Sequence, residues 1–170
     1  MNPIQEIALF STGGTFNKVY NPLTGILEID PEAKALKRIM EHWLCRFELH
    51  DLLHKDSLEM DDADRELLAR AILGSEARKI LVVHGTDTID RTAAALARRI
   101  PDRPLVLTGA MIPFSIDPIE ATANFASAVG WLLGNDTPGV YIAMHGLVLP
   151  YDRIFKDRSR GLFSPKDPAG

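Results

Sequence analysis

Short, unbroken apolar runs recur along this chain and are separated by longer segments in which apolar residues return every three or four positions. Ile7-Ala8-Leu9-Phe10, Ile80 to Val83, Leu105-Val106-Leu107 and Val140 to Met144 are such runs, and their lack of a period-two pattern predicts strands buried on both faces. Phe47 to Leu53 is ambiguous in pattern and is read as extended, and Leu147-Val148-Leu149 adds a last short run, followed by a polar tail that ends in Pro165 to Gly170. Four helices are predicted between the runs. The first opens at Asp30-Pro31 and carries Leu36, Ile39, Met40 and Trp43 at helical spacing. The second spans Asp61 to Leu73, with aspartates in its first turn and Gly74 past its end. The third and fourth span Asp87 to Ile100 and Pro118 to Leu133. From Asn17 to Ile26, Asn21-Pro22 and Thr24-Gly25 break every period, which predicts a mobile loop. No internal repeat or low-complexity stretch is present.

Alternating strands and helices predict an α/β fold: three layers, with a mostly parallel flavodoxin-like or Rossmann-like sheet covered by helices on both faces. At 170 residues the chain suits one domain, read as 1–170. Ligands of such sheets sit beyond the carboxyl ends of the strands. Three polar turns fall at that edge: Thr12-Gly13-Gly14-Thr15, His84-Gly85-Thr86-Asp87-Thr88 and Thr108-Gly109-Ala110-Met111. All three are expected to face one crevice.

Composition narrows the chemistry. The net charge of -4 gives no general attraction for nucleic acid or acidic lipid, so neither is expected as a partner. Cys45 is the only cysteine, which excludes an intramolecular disulfide and fits a reducing cytoplasm. Met1 to Phe10 has no basic segment followed by a long apolar run, so neither a signal peptide nor a membrane span is expected. His50 and His54 would share a helix face, but the segment is not convincingly helical and offers no third ligand, so no metal is expected.

Within the turns, glycine brings main-chain amides close to a ligand and threonine adds a hydroxyl that can donate, accept or attack. Thr15 is the candidate nucleophile, although Thr12 and Thr15 equally suit plain turn capping. A phosphate cradle fits worse, because neither Gly-x-Gly-x-x-Gly nor a Walker lysine is present. Read alone, Asp87 with Asp90 is an ordinary helix cap, and Lys156 within Tyr151 to Arg158 is one charge on a solvated face.

Taken in order, Ser11-Thr12-Gly13-Gly14-Thr15, Asp56-Ser57, His84-Gly85-Thr86-Asp87-Thr88, Thr108-Gly109-Ala110-Met111 and a later lysine resemble the bacterial-type L-asparaginase/glutaminase family. The likeness runs from about Ile7 to Lys156 and covers that family's N-terminal domain, with no counterpart of its C-terminal domain. The resemblance implies catalytic roles for Thr15, Tyr20, Thr86, Asp87 and Lys156. Thr15 would carry the acyl group, Tyr20 would sit on a lid, and Thr86, Lys156 and Asp87 would form a second, hydrogen-bonded group. It implies substrate contacts from Gly14, Ser57, Thr86, Asp87 and Ala110. It further implies hydrolysis of L-asparagine to L-aspartate and ammonia without a cofactor, and a homodimer or homotetramer. The alternatives are a glutaminase or broader small-amide hydrolase, and a noncatalytic amino-acid-binding module. Because an ordinary lysine is almost wholly protonated near neutral pH, a shared proton relay is expected rather than abstraction by one amine. One departure stands out: where the family has Ser-Gln-Asp-Met, this chain has Ser57-Leu58-Glu59-Met60. An amide side chain that would meet the substrate is thus lost, which predicts weaker affinity and looser selectivity.

Overall fold

The apolar runs form the parallel strands expected of them. A computed structural model describes residues 6–166. The readings of Met1 to Gln5 and of the last four residues of the tail therefore lie outside the described residues. Strands β1 (Glu6–Gly13), β4 (Arg46–Lys55), β5 (Lys79–Val83), β6 (Pro104–Thr108), β7 (Gly139–Met144) and β8 (Leu147–Pro150) make one sheet in the order β4-β1-β5-β6-β7-β8. All neighbours are parallel except β7 and β8, which are antiparallel. Taking the five parallel strands alone, the order is that of a flavodoxin-like sheet, whose chain reverses direction of travel between β1 and β5.

Side chains alternate between two cores. Ala8, Phe10, Ile80, Val82, Leu105 and Leu107 face Leu68 and Ile72 of α2 (Asp62–Gly74) and Ala93 and Leu96 of α3 (Ile89–Arg99). Ile7, Leu9, Leu81, Val83 and Val106 face Leu36 and Ile39 of α1 (Lys34–Met40) and Phe125, Val129 and Leu132 of α4 (Pro118–Gly134). Each fully buried aliphatic side chain of this kind contributes roughly 1.5–3 kcal/mol, so the sheet's central strands hold the carboxyl-end turns on a rigid base.

Three expectations are corrected. The first helix is shorter than its spacing predicts: Asp30 caps it by accepting from the main-chain N–H of Glu32 (3.0 Å) and Lys34 (3.1 Å), but Ala33 turns left-handed, the helix starts at Lys34, and it ends before Trp43. The third helix starts at Ile89, two residues after Asp87. The predicted loop at Asn17 to Ile26 is instead most of a hairpin, β2 (Lys18–Asn21) with β3 (Ile26–Ile29), in which Asn21 and Thr24 both bond the Glu28 carboxylate. A second hairpin, β9 (Ile154–Asp157) with β10 (Leu162–Pro165), follows β8. No helix among the described residues is long and apolar enough to cross a membrane.

Candidate active site

The crevice forms where β1 and β5 part. Gly14 leaves β1 with φ 75°, and a Cβ on it would lie 2.5 Å from the main-chain N of Gly85 and 2.6 Å from its Cα. Only glycine allows this approach. A Cβ on Gly85 would in turn lie 2.7 Å from both Cβ and Oγ of Ser57, and one on Gly109 would run into the His84 carbonyl and the Thr86 methyl. Gly14, Ser57, Thr86 and Gly109 are therefore packed together around the His84-Gly85 main chain. Thr15 opens a single 3₁₀ turn directly after Gly14 and is half-buried.

Lys156 reaches this point from the second hairpin. Its Nζ donates to Thr86 Oγ1 at 2.9 Å and to Asp87 Oδ1 at 2.8 Å, and its side chain is 14% exposed. Both local readings of these residues are overturned: Lys156 is not on a solvated face, and Asp87 turns to the lysine instead of capping α3. Seventy residues separate Lys156 from Thr86. The bond to Lys156, followed by one to Arg158, holds the Asp87 carboxyl below the usual carboxylate range against the opposing effect of burial.

The implied site residues are not all joined. Gly14, Ser57, Thr86, Asp87 and Lys156 converge, Thr15 follows Gly14 in the chain, and Ala110, next to Gly109, is fully buried in the core on the α1/α4 side. Tyr20 lies on β2 opposite Leu27 and is 61% exposed, and no hydrogen bond joins it to the cluster among the described residues. Its hairpin is tied to the site at the root, where Lys18 Nζ meets Asp56 Oδ2 at 2.8 Å and Ser115 Oγ donates to the Lys18 carbonyl at 2.7 Å. The Gly14 N–H is committed to the Lys55 carbonyl at 3.0 Å. Ser57 Oγ is buried with no hydrogen-bond partner among the described residues.

Supporting residues that local sequence reasoning missed lie one layer below. His84 is fully buried, and burial pushes its imidazole down to about 4, so it is neutral near pH 7. Its Nδ1 donates to the Gly85 carbonyl at 2.7 Å, which leaves Nε2 to accept from the Thr92 hydroxyl at 2.8 Å. The Thr92 oxygen accepts from Arg65 Nε at 3.2 Å, and Thr88 Oγ1 donates to the Ser57 carbonyl at 2.8 Å. Helices α2 and α3 thereby clamp Gly85 and Ser57. On the other side, the Glu120 carboxylate accepts from the main-chain N–H of Met111 and Ile112, each at 3.0 Å, and sits 3.2 Å from His145 Nε2. His145 Nδ1 accepts from the Phe163 N–H at 3.0 Å, and Phe163 pairs directly with Lys156 in the hairpin. The only sequence signals for these groups were a polar histidine closing an apolar run and threonines one helical turn apart at 88 and 92.

His50 and His54 lie on β4, not on a helix. The His50 ring stacks on Phe10 with centroids 4.5 Å apart, and His54 Nε2 meets Asp51 Oδ2 at 2.8 Å. No group of three or more His, Cys, Asp or Glu side chains suited to a metal occurs among the described residues. Cys45 is half-buried, and desolvation raises its thiol above the ordinary range, consistent with an unreactive side chain.

Comparison with known proteins decides the family, because the family described as Asparaginase, N-terminal, matches residues 6–164. The chain belongs to the asparaginase family. L-asparaginase of Thermococcus kodakarensis is 32% identical over 122 residues, which are 69% of this chain and 37% of that protein. A glutamyl-tRNA(Gln) amidotransferase subunit of Methanococcus vannielii is 28% identical over 157 residues, 85% of this chain and 35% of that one. Among solved structures, the thermostable L-asparaginase from Thermococcus kodakarensis superposes with a TM-score of 0.82 at 27% identity, covering 95% of this chain and 51% of its own. The asparaginase-family chain described here thus spans little more than a third of these curated relatives and about half of that solved structure.

Proposed function

We propose that this asparaginase-family chain is an amidohydrolase that converts L-asparagine to L-aspartate and ammonia through an ester on Thr15. The observation that carries the reading is the Lys156 ammonium bonded to both Thr86 and Asp87 where β1 and β5 part, beside the turn that presents Thr15.

A threonine hydroxyl is a weak nucleophile until its proton has somewhere to go. Asp87 fixes Lys156, and Lys156 donates to Thr86, so the Thr86 oxygen keeps lone-pair capacity for a further donor. In this reading the Thr15 oxygen bonds to the amide carbon while its proton passes along the Thr86–Lys156 relay to the departing nitrogen, which leaves as ammonia. Water then attacks the ester carbon, the bond to Thr15 Oγ breaks, and aspartate is released with the Thr15 hydroxyl restored. Because the Gly14, Asn17 and Lys18 N–H groups are already committed, the oxyanion is assigned to the N–H of Thr15, such a donor being worth roughly 3–4 kcal/mol in other enzymes. Ser57 and Asp87 receive the charged groups of the amino acid, Ala110 faces the leaving amide, and Tyr20 closes from its hairpin.

The likeness to an amidotransferase component supports a second reading, in which the released amide is glutamine's. Ammonia release from asparagine, glutamine and other small amides, measured on native chain and on Thr15→Ala, tests both. A native chain that binds asparagine without releasing ammonia would make it a binding module instead. A homodimer or homotetramer and a cytoplasmic location belong to the same proposal. The exposed Leu58 (70%), Ile116 (60%) and Ile119 (75%) support association, which analytical ultracentrifugation reads directly.

A further inference from the structure

A second hollow lies at the root of the β2–β3 hairpin, bounded by α1 and the first turns of α4. Its volume is about 490 Å³, within the range of small-molecule sites, and none of Thr15, Ser57, Thr86, Asp87 and Lys156 lines it. Its walls are tied to the turn that carries Thr15 from two sides: the Asp30 N–H donates to the Asn17 carbonyl at 2.9 Å, and the Phe114 N–H to the Phe16 carbonyl at 3.4 Å.

One wall is basic. Lys34, Arg38 and His42 return every fourth residue along α1 and the turn that ends it, and all three line the cavity. Lys34 and Arg38 repel each other at this spacing, and an anion beside them relieves the repulsion. Lys34 lies 3.2 Å from Glu32, but those side chains are 67% and 64% exposed, and such a pair is worth little. Lys18, a third cation in the lining, is held by Asp56. The one carboxylate in the lining, Asp30, is 5% exposed and already accepts from the Glu32 and Lys34 N–H groups. Positive charge therefore prevails here in a chain whose net charge is -4.

Much of the remaining lining is aromatic or aliphatic. The Trp43 ring is fixed edge-on to Phe47 and Phe125, with centroids 6.4 and 6.0 Å away, and Phe114 stacks on Phe16 at 6.3 Å. Both offer apolar ring surface to the cavity. Asn17, 2% exposed, lines it too; its Nδ2 donates to Ser11 Oγ at 3.2 Å, whereas its Oδ1 is buried without a partner among the described residues. The Arg38 side chain likewise makes no hydrogen bond or ion pair among them. Two lining groups thus have bonding capacity that the protein itself does not use.

We propose that this cavity binds a small aromatic acid, a flat ring with a carboxylate or phosphate on a short arm. The acid meets Arg38 and Lys34, and the ring lies against Trp43 and Phe114. The site is separate from the crevice at the strand ends, so the proposal stands whether or not the chain hydrolyses amides.

The test is calorimetric titration of native chain, Arg38→Gln, Arg38→Glu and Lys156→Met. The probes are indole-3-acetate and adenosine 5′-monophosphate, with tryptamine, which has the indole ring on a cationic arm, and acetate, which has the acid without a ring. At least one of the two aromatic acids is expected to bind native chain about tenfold or more tighter than tryptamine and acetate, and the tighter of the two assigns the arm as carboxylate or phosphate. Arg38→Gln should weaken that acid by about fivefold and Arg38→Glu by more, while Lys156→Met leaves its affinity unchanged. Arg38 is exposed, so both of its variants are expected to fold, which circular dichroism checks. The proposal is overturned if neither aromatic acid binds, if tryptamine or acetate binds as tightly, if Arg38→Glu leaves the affinity unmoved, or if Lys156→Met abolishes binding.

Discussion

Two hairpins flank the crevice, and they are anchored in different ways. The β9–β10 hairpin buries Ile154 and Phe163 in the α2/α3 core, and it is held by Lys156 on Thr86 and Asp87 and by Phe163 on His145. The β2–β3 hairpin is held near its root by Lys18 and then leaves the body: Tyr20 is 61%, Leu23 94% and Ile26 59% exposed. The contrast is between a hairpin built into the core and one whose tip stands exposed, and it fits the proposed division between a fixed relay and a cover. A relay that hands on a proton needs fixed distances. A cover that admits and releases substrate needs few contacts of its own.

The sharpest way to break this comparison is to remove the polar end of each hairpin's residue. Lys156→Met should lower kcat by about a thousandfold, within the range for losing a positioned acid–base group, while Tyr20→Phe should lower kcat/KM by only about tenfold. Steady-state ammonia assays on asparagine check both, and equal losses would erase the distinction. A second contrast compares glycines. Gly14 and Gly25 share a left-handed backbone, φ 75° and 73°, but a Cβ at Gly25 would meet nothing within 4 Å. Gly14→Ala is expected to cost roughly 3 kcal/mol or more, from strain and from collision with the Gly85 main chain, and Gly25→Ala about 1 kcal/mol, from backbone strain alone. Urea titration followed by circular dichroism measures the two. The smallest expected effect is His145→Ala, which removes the acceptor for the Phe163 N–H. It should destabilise by about 1 kcal/mol and lower kcat severalfold with KM unchanged, because it loosens the strand opposite Lys156 without touching substrate.

The parallel sheet and its two helical layers were legible because buried strands and amphipathic helices write their periods into consecutive residues. Both hairpins were missed for the opposite reason. Their strands are four residues long, and Asn21-Pro22 and Thr24-Gly25 read as breakage until Glu28 is seen to receive both Asn21 and Thr24. In the site, the local grammar of Asp87 is that of a helix cap, and nothing nearby in the chain announces a lysine and an arginine some seventy positions on. The family resemblance supplied Lys156 and held His84 within a motif without giving it a part, and it included neither Arg158 nor His145. Their parts depend on contacts between distant segments, which a pattern of neighbours does not carry.

The contact of Gly14 with Gly85 also bears on how such a site can vary over time. Where the two turns touch, bare main chain meets bare main chain, so no side chain there is available for selection to adjust. Substitutions elsewhere can reshape the rim and retune what enters, while the spacing between the two turns is inherited as a fixed length with a strong barrier to change.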